Sequence, residues 1–166
     1  MVVLTKAIKP KTLNMKAMLI ELEKAAETFS IDLLSEFELT TAFWERKVKF
    51  ERLISVGPTS IDILVATDDE VYGYVNNGTE DHYVAPIYVD ALAFQSIYAA
   101  KSSPNRIASH KGGASGPTVF STDGHYVEGI EPRDFDKQIK KEMEPKFKKE
   151  MQNAMKRARL VSDNPA

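Results

Sequence analysis

The chain has 166 residues, 43% of them hydrophobic and 28% charged, with a formal net charge of −2. That length suits one compact domain burying roughly two thirds of its unfolded surface, and the near-neutral balance gives no chain-wide reason to bind nucleic acid or an acidic membrane. The lack of cysteine excludes disulfides, thiol catalysis and cysteine-ligated zinc or iron–sulfur centres, and it fits a reducing cytoplasm.

The opening stretch MVVLTKAIKPKTLNMK is too short and too interrupted by lysine and proline to act as a secretory signal or a membrane span of about 20 apolar residues. Pro10 suits a first helical position. Met15, Leu19, Leu22, Ala26, Phe29, Leu33, Phe37 and Trp44 then recur in steps of three or four, broken only at Thr40. They predict one long helix over about 11–45, with Leu22, Phe29 and Leu33 in the core. Ser30 offers a cap for a second helix, but the apolar stripe keeps its phase across it.

In VKFERLISV, Val48, Phe50, Ile54 and Val56 share one side of a strand, with Arg52 as the exception. Ile61, Ile63 and Val65 alternate after the Gly57-Pro58 turn, so 48–66 reads as a β-hairpin. TDDEVYGYVNNG has acids where a short helix starts and Gly78 where it stops. YVAPIYV and ALAFQSIY read as two further strands, the first at an edge because of Pro86. Residues 100–117, containing SHKGGASGP, read as a long glycine-rich loop. A short strand TVFST and a turn at Asp123-Gly124 follow.

A helical pattern resumes at Pro132, with Phe135, Ile139, Met143, Phe147, Met151 and Met155 four apart. Steps of four drift by about 40° each, so one straight face cannot hold all six. Pro145 is expected to kink or restart this helix, and residues 161–166 to form a flexible tail. The order of elements predicts an α+β fold in a single domain over 1–160, with a small, mostly antiparallel sheet and the last helix packed on it.

Catalytic and cofactor patterns are missing from the sequence. SHKGGASGP lacks the G-x-x-x-x-G-K-[ST] spacing of a phosphate-binding loop, and no G-x-G-x-x-G occurs. His82, His110 and His125, near Asp81 and Asp123, have no metal-ligand spacing. Ser115 lies outside any G-x-S-x-G, and the acids Asp68, Asp69 and Glu70 are explained by helix capping. The expectation is therefore a protein that is not an enzyme and holds neither cofactor nor metal. Between Glu131 and Leu160 stand ten Lys/Arg against six Asp/Glu. This basic helix makes nucleic-acid binding the alternative reading, although no aromatic lies on its basic side to stack on bases.

Three stretches resemble the small tail-completion or head–tail joining proteins of long-tailed bacteriophages and prophages, also called neck or minor structural proteins. YVNNGTEDHYVAP is similar to the family's V-N-x-G-T-[basic]-P-H-x-I-x-P. ALAFQSIYAAKSSPNRIASHKGGASGP resembles its A-L-x-F strand followed by a glycine-rich loop. HYVEGIEPRDFDKQI is similar to its H-P-G-x-x-[AP]-R-x-F approach to the last helix. The long first helix ending near FWERKVKF also matches the family's layout. Two departures stand out: Glu80-Asp81 replace a basic residue and proline, and three residues separate His125 from Gly129 where one is usual. The motif residues carried over are Gly78, Thr79, His82, Gly129, Arg133 and Phe135.

The resemblance implies a virion structural protein of the neck, assembled in the bacterial cytoplasm. It implies a homo-oligomeric ring of about six copies. Its partners would be the head connector, an adaptor or stopper, and the tail tube, with DNA passing through the bore unbound and no membrane involved. Lys111, Gly112, Gly113, Ser115 and Gly116 are then expected in a loop that orders against neighbouring subunits.

Overall fold

The structure, a computed structural model, describes residues 15–57, 60–104 and 112–162, the side chains of 159–162 excepted. Its elements are α1 (Met15–Thr40), β1 (Glu51–Val56), β2 (Ile61–Ala66), α2 (Glu70–Asn77), β3 (His82–Val84), β4 (Leu92–Ala99), β5 (Gly113–Ser121), β6 (His125–Val127) and α3 (Phe135–Ser162). The fold is α+β, with a long first helix, small antiparallel sheets and a last helix packed on them. Among the described residues the β-structure is three separate two-stranded ladders, β1–β2, β3–β6 and β4–β5, where one small sheet was expected.

α1 runs unbroken through Ser30, which is fully buried and donates its hydroxyl back to the Glu27 carbonyl at 2.7 Å. The helix stops at Thr40, five residues short of expectation. The Thr40 and Thr41 hydroxyls bond back to the carbonyls of Phe37 and Glu38, and tight turns then carry the chain to Trp44. Such local bonds compete with helical ones and end the helix. The part of the predicted helix before Met15, with Pro10, lies outside the described residues. Phe29 is buried, Leu22 and Leu33 are half-buried, and Met15 and Leu19 at the start of the stripe are exposed.

β1 and β2 pair from Glu51↔Ala66 to Val56↔Ile61, closed by the Gly57 N–H donating to the Ser60 carbonyl. The exception in the β1 pattern, Arg52, points at α1. It donates to the buried Ser30 hydroxyl at 2.6 Å and pairs with Glu27 at 2.7 Å. Two apolar clusters join these elements. Phe29, Ile139 and Met143 form one, with Ile63 and Phe147 against it; Phe50, Tyr72 and Phe135 form the other, with Leu34, Trp44 and Val65 against it.

α3 starts at Phe135, not Pro132, and is a single helix through Pro145 to Ser162; the restart and the tail beginning at residue 161 are therefore corrected. Pro145 leaves the Lys141 carbonyl without its helical donor. Both residues are solvent-exposed, so water can take that place. The expected drift of the fourfold spacing is visible. Phe135, Ile139 and Met143 are buried, Phe147 and Met151 are half-buried, and Met155 is exposed. Beyond Phe147 the inward face passes to Ala154 and Ala158, near the α1 end that carries Ala25 and Ala26, as the Arg157–Glu21 pair at 3.1 Å places it. None of the described helices is long and apolar enough to cross a membrane.

Candidate functional site

Two chain segments distant in sequence cross where the family-like motifs lie. The Asp69 carboxylate caps α2 by accepting the Tyr72 N–H at 3.0 Å, and Gly78 ends the helix with φ at 78°. A Cβ on Gly78 would stand 2.7 Å from the Ile130 carbonyl oxygen. The Thr79 N–H donates to that same oxygen at 2.9 Å, and the Thr79 hydroxyl accepts the Ile130 N–H at 3.0 Å. One residue earlier, the Gly129 N–H donates to Asp81 at 2.6 Å. Asp81 is one of the departures from the family pattern, and it closes the crossing.

The same junction positions the start of α3. The Arg133 and Asp134 N–H groups donate to the Asn76 carbonyl at the end of α2, at 3.1 and 3.0 Å. The Asn76 side-chain oxygen accepts the Asp136 N–H at 3.3 Å, so a residue of α2 caps a helix 60 positions away. Arg133 is buried, with its guanidinium donating to the Glu131 carbonyl at 2.9 Å and the Ser102 hydroxyl at 3.3 Å. Phe135, two residues on, is 0% exposed and packs with Phe50 and Tyr72. Five of the six motif residues, Gly78, Thr79, Gly129, Arg133 and Phe135, thus meet in one scaffold. The sixth, His82, is exposed at the start of β3, its Nδ1 3.1 Å from the Glu80 carbonyl. Asn76, Asp81 and Ser102 complete the junction; of these only Asp81 was named from sequence, as a departure from the family pattern and not as a structural tie. Only the asparagine pair before Gly78 hinted at the first.

The expected loop 100–117 is corrected by β5. Gly113, Ser115 and Gly116 are strand residues, paired Ala99↔Gly113 and Ile97↔Ser115, with a bulge between Gln95 and Ile97. The glycines serve the strand. Gly113 and Gly116 have φ of 122° and 85°, and Gly116 takes its positive φ within the bulge, where Gly116 and Pro117 oppose Ser96 and a Cβ would lie 2.7 Å from the Ser96 hydroxyl. Gly112 is the last residue before the strand, and Lys111 lies outside the described residues, as does His110. The strand expected over YVAPIYV is reduced to His82–Val84. It pairs with β6, which was not anticipated, and residues 85–91 after it are not strand.

The β4–β5 ribbon is held at its ends. Lys101 pairs with Glu45 at 3.0 Å, and Phe94 stacks on His125 with ring centres 4.3 Å apart. The Tyr83 hydroxyl donates to the Asp123 carbonyl across the Asp123-Gly124 turn. Between these ties, Ile97, Tyr98 and Phe120 face solvent, the two aromatics each 71% exposed, and Tyr88 before the ribbon is 96% exposed. The two strands make little contact with other helices or strands.

A cleft of about 630 Å³ separates the ribbon base from Trp44 and the 128–133 segment. Its cations are occupied: Arg46 by Asp69 at 2.8 Å, Lys101 by Glu45, and Arg133 by Ser102 and the Glu131 carbonyl. That leaves it poorly suited to a phosphate. No three His, Asp or Glu side chains among the described residues are grouped to hold a metal.

Arg157 of α3 and then Lys24 of α1 hold Glu21 of α1 below the usual carboxylate range, and on α3 Lys148 does the same to Glu144. Asp134 raises Lys137. Lys140, Lys141, Lys149 and Lys156 make no ion pair among the described residues. No protein-family model, curated protein or solved structure matches this chain.

Proposed function

We propose that the protein is a structural component of a phage neck, forming a ring of about six copies that joins the head connector to the tail tube while DNA passes through the bore. The supporting observation is the β4–β5 ribbon. An isolated two-stranded ribbon is marginal in water, and this one leaves Ile97 and Phe120 exposed on one face and Tyr98 on the other. Apolar side chains left exposed on both faces of such a ribbon mark an element that another protein covers. In a ring, that cover is the neighbouring copy. The Gly78–Arg133 crossing would then act as the rigid base of the ribbon, because Arg133 reaches Ser102 just past β4.

Light scattering and negative-stain microscopy of the purified chain test this reading. Rings are expected, and Tyr98→Glu with Phe120→Glu should yield monomers with unchanged helix content. Assembly by that double variant as in the unmodified chain would overturn the role of the ribbon. The second reading, nucleic-acid binding by α3, draws support from the four lysines without ion pairs; it predicts a monomer whose duplex affinity falls steeply with salt.

A further inference from the structure

Among the described residues β2 pairs only with β1, so its other edge is open. Five successive β2 residues, Ile61 to Val65, line a groove of about 620 Å³. Alternate side chains of a strand point to opposite faces, so a groove lined by five in a row runs along the backbone edge. Its opposite wall is apolar α3, with Ile139, Met143 and Phe147. The strand IDILVA carries no lysine, proline or bulge, the devices that normally keep an edge from pairing. An extended segment laid there would gain ladder hydrogen bonds from β2 and apolar contacts from the helix.

We propose that the groove accepts residues 2–7 of a neighbouring copy as an added strand on β2. VVLTKA begins with strong strand formers, and its length matches that of β2. The charges complement one another. Residues 1–14 carry Lys6, Lys9 and Lys11 and no acid, whereas Asp62, Asp136 and Glu144, against Lys140 and the Lys148 paired with Glu144, leave the groove net negative. Reach selects a neighbour over the same copy. From Met15 to Phe29, α1 rises roughly 21 Å, and to Phe37 roughly 33 Å. Residues 8–14 span at most about 25 Å, so a chain's own segment reaches only the near end of its groove. The proposal rests on the ring reading only for the supply of that neighbour.

The chain has no cysteine, so introduced thiols report contact directly. Full-length Leu4→Cys and Asp62→Cys chains, differing in tag mass, are mixed and mildly oxidised. Disulfide-linked heterodimers should exceed either homodimer by about tenfold, as proximity requires. Adding Val3→Pro to the first chain should remove the excess, because proline donates no ladder hydrogen bond. An excess that survives Val3→Pro would overturn strand addition. No excess in a sample that light scattering shows assembled would overturn it too and leave the ring reading intact. No excess in a sample of monomers would sink both. A disulfide formed within single chains of the Leu4→Cys/Asp62→Cys double variant, without interchain product, would overturn donation by a neighbour.

Discussion

Replacing Gly129 with alanine tests the crossing that organises the fold. An added Cβ would stand 2.1 Å from the Thr79 carbonyl oxygen, 2.8 Å from the Glu80 carbonyl carbon and 3.0 Å from the Asp81 nitrogen. All three are backbone atoms, so no side chain can swing aside. Restoring ordinary contact requires the segments to part by about 1.3 Å. The three bonds between them, now 2.9, 3.0 and 2.6 Å, would then exceed hydrogen-bonding range. At about 0.5–1.5 kcal/mol each, their loss amounts to about 2–4 kcal/mol. For a chain of this length that lowers the melting temperature by roughly 6–12 °C. Gly73, within α2, is the control, with nothing inside 4 Å of its added Cβ. Gly73→Ala should stabilise by about 0.5–1 kcal/mol through helix propensity alone. Urea titrations of both variants by circular dichroism make the measurement. A loss below about 0.5 kcal/mol for Gly129→Ala would mean that the backbones do not meet at this crossing.

Phe135→Ala removes a fully buried ring from the Phe50–Tyr72 cluster and should cost about 3–5 kcal/mol, read by the same titration. Burial pushes the Tyr72 phenol up to about 12, whereas the unfolded group titrates near 10. Its stabilising contribution is therefore complete below about pH 10 and is lost as pH rises toward 12. Tyr72→Phe should lose less stability than the unmodified chain as pH rises from about 10 to about 12; equal losses would contradict the burial argument. Changing Lys140, Lys141, Lys148 and Lys149 to Gln should leave the melting temperature within about 2 °C, since exposed charges contribute little. Gel-shift assays at low salt should show no tight duplex binding for that variant to lose; strong retention by the unmodified chain that disappears in the variant would favour the nucleic-acid reading.

The amino-acid sequence by itself determined the elements whose signals are local. The 3.6-residue stripe specified α1, Asp69 and Gly78 bounded α2, alternation around Gly57 specified the β1–β2 hairpin, and the fourfold apolar spacing foretold the drift along α3. Each of these rests on neighbours within a few positions, where backbone geometry alone sets the pattern. The tertiary structure decided what depends on distant partners. Gly113 and Gly116 look like loop residues in sequence, yet pairing with β4 makes them strand, because a bulge and two positive φ angles need glycine as much as a loop does. α1 ends early because the Thr40 and Thr41 hydroxyls turn back onto the helix, a competition that apolar periodicity cannot register. The family-like motifs were legible as residue types, but their meeting was not. Asn76 capping α3, Asp81 holding Gly129 and Ser102 holding Arg133 are contacts across 31 to 60 positions, and only the folded chain brings such groups within a hydrogen bond's length.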